Sequence, residues 1–115
     1  MFRILFDENV PDPLRAALGA HAVRTADEEG SGALANGLLI GRAEAAGFQI
    51  FMTCDQSIAY QQNLSGRAIS MVVLGSNTWP YSQPIIDQLL EAVSNAVPGS
   101  FEFIQIRPRP KVRPS

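Results

Sequence analysis

Phe2-Arg3-Ile4-Leu5-Phe6 is an apolar run of strand length that stops abruptly at Asp7-Glu8-Asn9, with Pro11 close behind. A short apolar segment closed by polar residues and a proline reads as a buried strand feeding a turn and a helix. In open α/β sheets, ligands sit outside the carboxyl ends of the strands. The sequence therefore places Asp7 where chemistry is ordinarily done.

The pattern returns along the chain. Asp12-Pro13 predicts the N-cap and first position of a short helix, with Leu14, Ala17 and Leu18 on its apolar face and Gly19 at its end. Ala22-Val23-Arg24-Thr25 reads as a short strand, and Ala26 to Ala35 as a loop whose Glu28 and Glu29 form a solvated acidic patch. Asn36 is the candidate cap of a helix running from Leu38 to Ala46, with Gly47 as its stop. Phe48 to Thr53 and Ile69 to Leu74 are further buried strands, and the first of them leads to a second acid, Asp55. Gln56 to Leu64 predicts a helix that breaks near Asn63, and Trp79-Pro80 falls in a connection. Pro84 opens a last helix whose Ile85, Ile86, Leu89, Leu90, Val93 and Val97 recur at helical spacing, and Phe101 to Ile106 alternates as a final strand. Strands alternating with helices predict one three-layer α/β domain over residues 1–106, with a mainly parallel five-stranded sheet flanked by helices.

The residue inventory narrows the chemistry. One cysteine, Cys54, excludes an internal disulfide framework and a thiolate zinc cluster, which points to a reducing cytoplasm. One histidine, His21, has no partner with which to build a nucleophilic or transition-metal site, and it is given no role. What remains is carboxylate and amide oxygen, which suits hard cations such as Mg²⁺ or Mn²⁺. No run has membrane-spanning length, so no membrane association is expected. Arg107, Arg109, Lys111 and Arg113 stand among prolines in residues 107–115, a basic tail expected to be extended and disordered. The preceding residues hold five basic and eleven acidic side chains, a net of −6 that argues against broad nucleic-acid binding by the folded surface.

Asp7 and Asp55 end two strands of one parallel sheet, so both carboxylates fall on one edge, and on neighbouring strands they can share a ligand. Two carboxylates about 4 Å apart repel by roughly 4 kcal/mol at an effective dielectric near 20, and need a cation, a shared proton or an arginine between them. A divalent ion would activate water and stabilise charge on a phosphodiester. Helix capping is an equally common use of aspartate at such positions. Glu8 points to the other face if strand geometry persists beyond Asp7.

Asp7-Glu8-Asn9-Val10-Pro11 after an apolar strand, Asn36-Gly37 opening a helix, Thr53-Cys54-Asp55-Gln56, and Tyr60-Gln61-Gln62-Asn63-Leu64 together resemble the short bacterial PIN-like proteins that serve as toxin candidates of toxin–antitoxin pairs. The resemblance runs from residue 1 to about residue 97. It implies a PIN-like fold, a Mg²⁺- or Mn²⁺-dependent endoribonuclease with RNA as substrate, and a small cognate antitoxin as partner. It makes Asp7 and Asp55 the catalytic and metal-binding acids, with one ion expected. The family's third acid falls where this chain has Leu38, so weakened activity is expected. Asn9, Asn36, Gln56, Ser57 and Asn77 are the oxygen donors that would complete a shell around the ion, and Arg42 stands one helical turn from Leu38 as a neutralising or phosphate-binding cation. Two other readings stay open: a catalytically inactive PIN-like module that binds a partner protein or RNA, and a phosphoacceptor receiver domain, which needs a lysine at the end of its last strand where this chain has Ile106-Arg107. Homodimer formation is also left open.

Overall fold

A computed structural model describes residues 2–30, 36–55, 66–75 and 83–105. It is an α/β protein with five strands: β1 (Arg3–Phe6), β2 (Ala22–Thr25), β3 (Ile50–Thr53), β4 (Ser70–Leu74) and β5 (Phe101–Ile104). They form one sheet in the order β2-β1-β3-β4-β5, and every pairing is parallel. The described helices are α1 (Leu14–Ala17), α2 (Asn36–Ala45) and α3 (Gln83–Ser94).

Burial follows strand position. Every residue of β3 and β4 is buried, which is why those strands are near-continuous apolar runs. The edge strands carry Arg24 on one side and Glu102 on the other, and both side chains reach solvent.

Alternation splits the core in two. Ile4, Phe6, Ile50, Met52, Val72, Leu74 and Ile104 face Leu14 and Leu18 near α1 and Leu89 and Val93 of α3. Leu5, Phe51, Met71 and Val73 face Leu39, Ile40 and Ala43 of α2. The sheet is thus the middle of three layers, as the sequence predicts.

Three local expectations need correction. Asp12 does not cap α1: Pro13 occupies the N-cap position with helical φ and ψ and no side-chain cap bond, and Asp12 contributes only its carbonyl, to the Arg15 N–H at 2.9 Å. Val97 is 59% exposed because α3 stops at Ser94, so the apolar stripe ends at Val93. Glu28 and Glu29 are paired rather than merely solvated, with Arg15 and Arg24 respectively, each at 2.9 Å.

Thr25 and Glu28 also form a reciprocal box, Thr25 N–H to Glu28 Oε1 at 2.9 Å and Glu28 N–H to Thr25 Oγ1 at 3.1 Å. The Thr25 N–H first, and Arg15 next, hold the Glu28 carboxyl below the ordinary carboxylate range. This turn is therefore fully supported above the ordinary carboxylate pKa and loosens as pH falls through the lowered value.

At the amino edge, Arg3 donates to the Ala46 carbonyl at 2.7 Å and lies 4.8 Å from the Phe48 ring centroid. This contact fixes the end of α2, so the helix runs from the carboxyl edge, where Asn36 begins it, to the amino edge. Gly47 follows with φ +87°, and a Cβ there would stand 2.6 Å from Arg3 Nη1. Gly47→Ala is expected to cost more than about 1 kcal/mol and to lower Tm by at least about 4 °C in a thermal melt.

Candidate functional site

Strand β1 ends at Phe6, and the Asp7 N–H still bonds the Met52 carbonyl at 2.9 Å, which fixes Asp7 at the lip of the sheet. The chain then turns, with the Val10 N–H on the Asp7 carbonyl at 3.1 Å. Because the strand has ended, Glu8 does not alternate away: it lines the same open cleft as Asp7, with Asn9, Val10, Pro11, Asp12, Thr25 and Asp27, in a volume of about 720 Å³.

The strand beside β1 is β3, with Phe6 opposite Met52, so the residue level with Asp7 is Thr53 and not Asp55. Thr53 is fully buried. Its hydroxyl donates to Asp7 Oδ2 at 2.8 Å and accepts from the Asp55 N–H at 3.0 Å. Asn9 turns its carboxamide oxygen onto the Cys54 N–H at 2.9 Å, and Asp7 Oδ1 accepts from the Glu8 N–H at 2.9 Å. One hydroxyl thereby couples the first acid to the backbone of the second. Asp7, Asn9 and Asp55 are all half-buried, open enough to meet a ligand.

Thr53 is the residue that sequence reasoning missed. A threonine closing an apolar run reads as an ordinary strand former, and its only signal is the Thr-x-Asp spacing that puts its hydroxyl two residues before the acid. Asp27 was missed as well, although it follows β2 on the same edge of the sheet.

Cys54 sits between the two acids in sequence, and burial first, then the Asp7 charge, push its thiol up to about 11. At neutral pH it is a protonated, weakly reactive group. The donors at this edge are therefore oxygens, which fit a hard divalent cation and no soft one. Among the described residues no cluster of three or more His, Cys, Asp or Glu could hold a metal, so an ion here would rest on Asp7 and Asp55 with neutral oxygens beside them.

The other residues singled out from the sequence separate. Leu38 lies in the first turn of α2 and is 67% exposed. Arg42, a turn further toward the amino edge, is exposed and forms no ion pair among the described residues. Glu44 is committed to the Ala68 N–H at 2.8 Å and to Arg67 at 3.5 Å. Asn36 is the first residue of α2 rather than a residue preceding it. Gln56, Ser57 and Asn77, the Tyr60–Leu64 block, Trp79 and the tail at 107–115 lie outside the described residues. His21 accepts the Phe2 N–H at 3.0 Å and stacks on the Phe2 ring at the amino edge, away from Asp7.

Fold and edge define a class: a parallel α/β protein in which an acid follows the carboxyl ends of the first and third strands, the Asp7 carboxylate being joined through Thr53 to the Asp55 backbone. The chain matches no protein-family model, and no curated protein or solved structure is significantly similar to it. No helix among the described residues is long and apolar enough to cross a membrane.

Proposed function

We propose that the chain is a PIN-like, Mg²⁺- or Mn²⁺-dependent endoribonuclease of low turnover, the cytoplasmic toxin of a toxin–antitoxin pair that binds a small cognate antitoxin. The observation that carries this reading is the Thr53 hydroxyl joining Asp7 to the Asp55 backbone. It stands where the sheet order switches, with β2 to one side of β1 and β3 to the other, the crevice in which open α/β sheets bind ligands.

In this reading Asp7 and Asp55 hold one hard cation, and when bound that cation supplies water activation and charge stabilisation at the scissile phosphodiester. Thr53 and the Glu8 N–H fix the Asp7 carboxylate, and Asn9 ties the β1 turn to the backbone after β3. These contacts hold the Asp7 carboxylate and the backbone that carries Asp55 in place before substrate arrives.

Low turnover follows from Leu38, an exposed apolar side chain where the PIN-like pattern places its third acid. Leu38→Glu is expected to raise Mn²⁺-dependent cleavage of a single-stranded RNA by about tenfold or more. Cleavage by neither protein, with Mn²⁺ or Mg²⁺, would exclude the nuclease and leave the inactive PIN-like binding module, which the exposed Leu38 favours. The receiver reading shares the strand order 2-1-3-4-5. It needs a lysine beyond the last strand, and Gln105 follows β5 here, with Ile106-Arg107 next in sequence. Failure to form a hydroxylamine-labile aspartyl phosphate with acetyl phosphate removes it.

A further inference from the structure

We propose that the Asn9 carboxamide N–H₂ is the donor that receives a phosphate oxygen of the RNA substrate at the Asp7 edge, and that Asn9 is not a ligand to the cation. An asparagine can offer either end: its oxygen suits a hard cation, its nitrogen an anion. The fold decides between them. Asn9 Oδ1 stands 2.9 Å from the Cys54 backbone nitrogen and 3.4 Å from Thr53 Oγ1. A backbone N–H only donates, so the atom facing it has to be the oxygen, and turning the amide over would set two donors against each other. The oxygen is thereby committed to the junction of β1 and β3. The nitrogen is left over.

Asn9 Nδ2 takes no partner among the described residues. Neither is it sealed in, because no buried side-chain nitrogen or oxygen among them lacks a hydrogen bond. Asn9 is half-buried and lines the open cleft beside Asp7, so its N–H₂ is an unused donor on that cleft.

The surrounding groups give this donor a task. The polar side chains that share the cleft are Asp7, Glu8, Asp12 and Asp27, which only accept when ionised, and Thr25, whose hydroxyl is held in the box with Glu28. A phosphodiester brought to Asp7 meets repulsion from these carboxylates, and its free oxygens need donors. An arginine or lysine in place of Asn9 would be drawn to Asp7 and compete with the cation for it. A neutral donor binds an anionic oxygen without that competition, and one whose other end is tied to the backbone after β3 needs little reorientation as substrate arrives. The choice of an RNA phosphodiester as the ligand rests on the nuclease reading.

The test uses the full chain with Ca²⁺ in place of Mn²⁺, to separate binding from turnover, and a short fluorescein-labelled oligouridine. A proton–nitrogen correlation spectrum locates the Asn9 side-chain N–H₂ pair as the one lost in Asn9→Asp. On adding unlabelled oligouridine, one proton of that pair is expected to move downfield, as a proton drawn into a hydrogen bond to an anionic oxygen does. Asn9→Asp keeps an acceptor for the Cys54 N–H and replaces only the donor, so anisotropy is expected to show binding weakened at least tenfold. Asp27→Asn alters the cleft by one exposed charge without touching the carboxamide, and is expected to change binding by no more than about threefold. Were the carboxamide an ion ligand, the added carboxylate of Asn9→Asp would hold Ca²⁺, and with it the RNA, more tightly. Tighter RNA binding by that variant therefore overturns the proposal, as does a loss no larger than the Asp27→Asn change, or an N–H₂ pair that oligouridine leaves unmoved. A pair that responds to inorganic phosphate but not to oligouridine also overturns it, since the group bound would then be a free phosphoryl group. A chain whose Asn9 responds to oligouridine but which never cleaves RNA with Mn²⁺ removes the nuclease reading and retains this contact, whereas cleavage with the pair unmoved does the reverse.

Discussion

Asp7→Asn is expected to lower Mn²⁺-dependent RNA cleavage by at least about a hundredfold while the fold persists. Asparagine keeps the shape and retains one acceptor oxygen, which can serve either the Thr53 hydroxyl or the Glu8 N–H, but not both. The structural loss is therefore about one hydrogen bond, roughly 1 kcal/mol, or about 4–8 °C in Tm. The functional loss is a full negative charge at the point where a cation must be held. Asp55→Asn is expected to behave alike. Single-turnover cleavage beside a thermal melt separates the two effects, and undiminished cleavage in both variants would remove the proposed role of these acids.

Thr53→Val tests the coupling between the acids. The side chain is fully buried and valine matches its shape, so packing survives while one hydrogen bond to each acid is lost. Loss of the hydroxyl's bonds to the Asp55 N–H and to the Asp7 carboxylate together costs about 2–3 kcal/mol, or on the order of 10 °C in Tm. Activity should fall by about 10- to 100-fold, the usual cost of removing a group that orients a ligand. Thr53→Ser keeps the hydroxyl and should restore most of both. A valine variant that melts and cleaves like the unaltered protein would show that this hydroxyl orients nothing.

The architecture was legible because the strands differ in kind. β3 and β4 are buried on both faces and so read as uninterrupted apolar runs, and their alternation with helical segments forces parallel pairing. The order of the strands was not legible: β1 takes one neighbour from residues 22–25 and the other from residues 50–52, and nothing local in Ile4 or Leu5 records that choice. Asp7 was found because an acid ending an apolar run is conspicuous. Thr53 was not, because a hydroxyl inside such a run carries no contrast, and its partners become neighbours only when β1 and β3 pair. Glu8 was expected on the other face only if the strand persisted, and the strand ends at Phe6, so alternation does not reach it. The Thr25-x-x-Glu28 box was written in the sequence but lost among the glycines and acids around it.

The position of β1 has a consequence for how the chain is made. β1 is an interior strand of the finished sheet that is made before both of its partners, and one of them lies forty-six residues further on, Ile4 opposite Ile50. Until that partner is synthesised, Ile4, Leu5 and Phe6 have only β2 to pair with and keep an open apolar edge. No hairpin can shorten the wait, because every pairing is parallel. β1 is thus exposed to aggregation until its second partner is made, and closure of β3 onto β1 both protects it and brings Thr53 to Asp7.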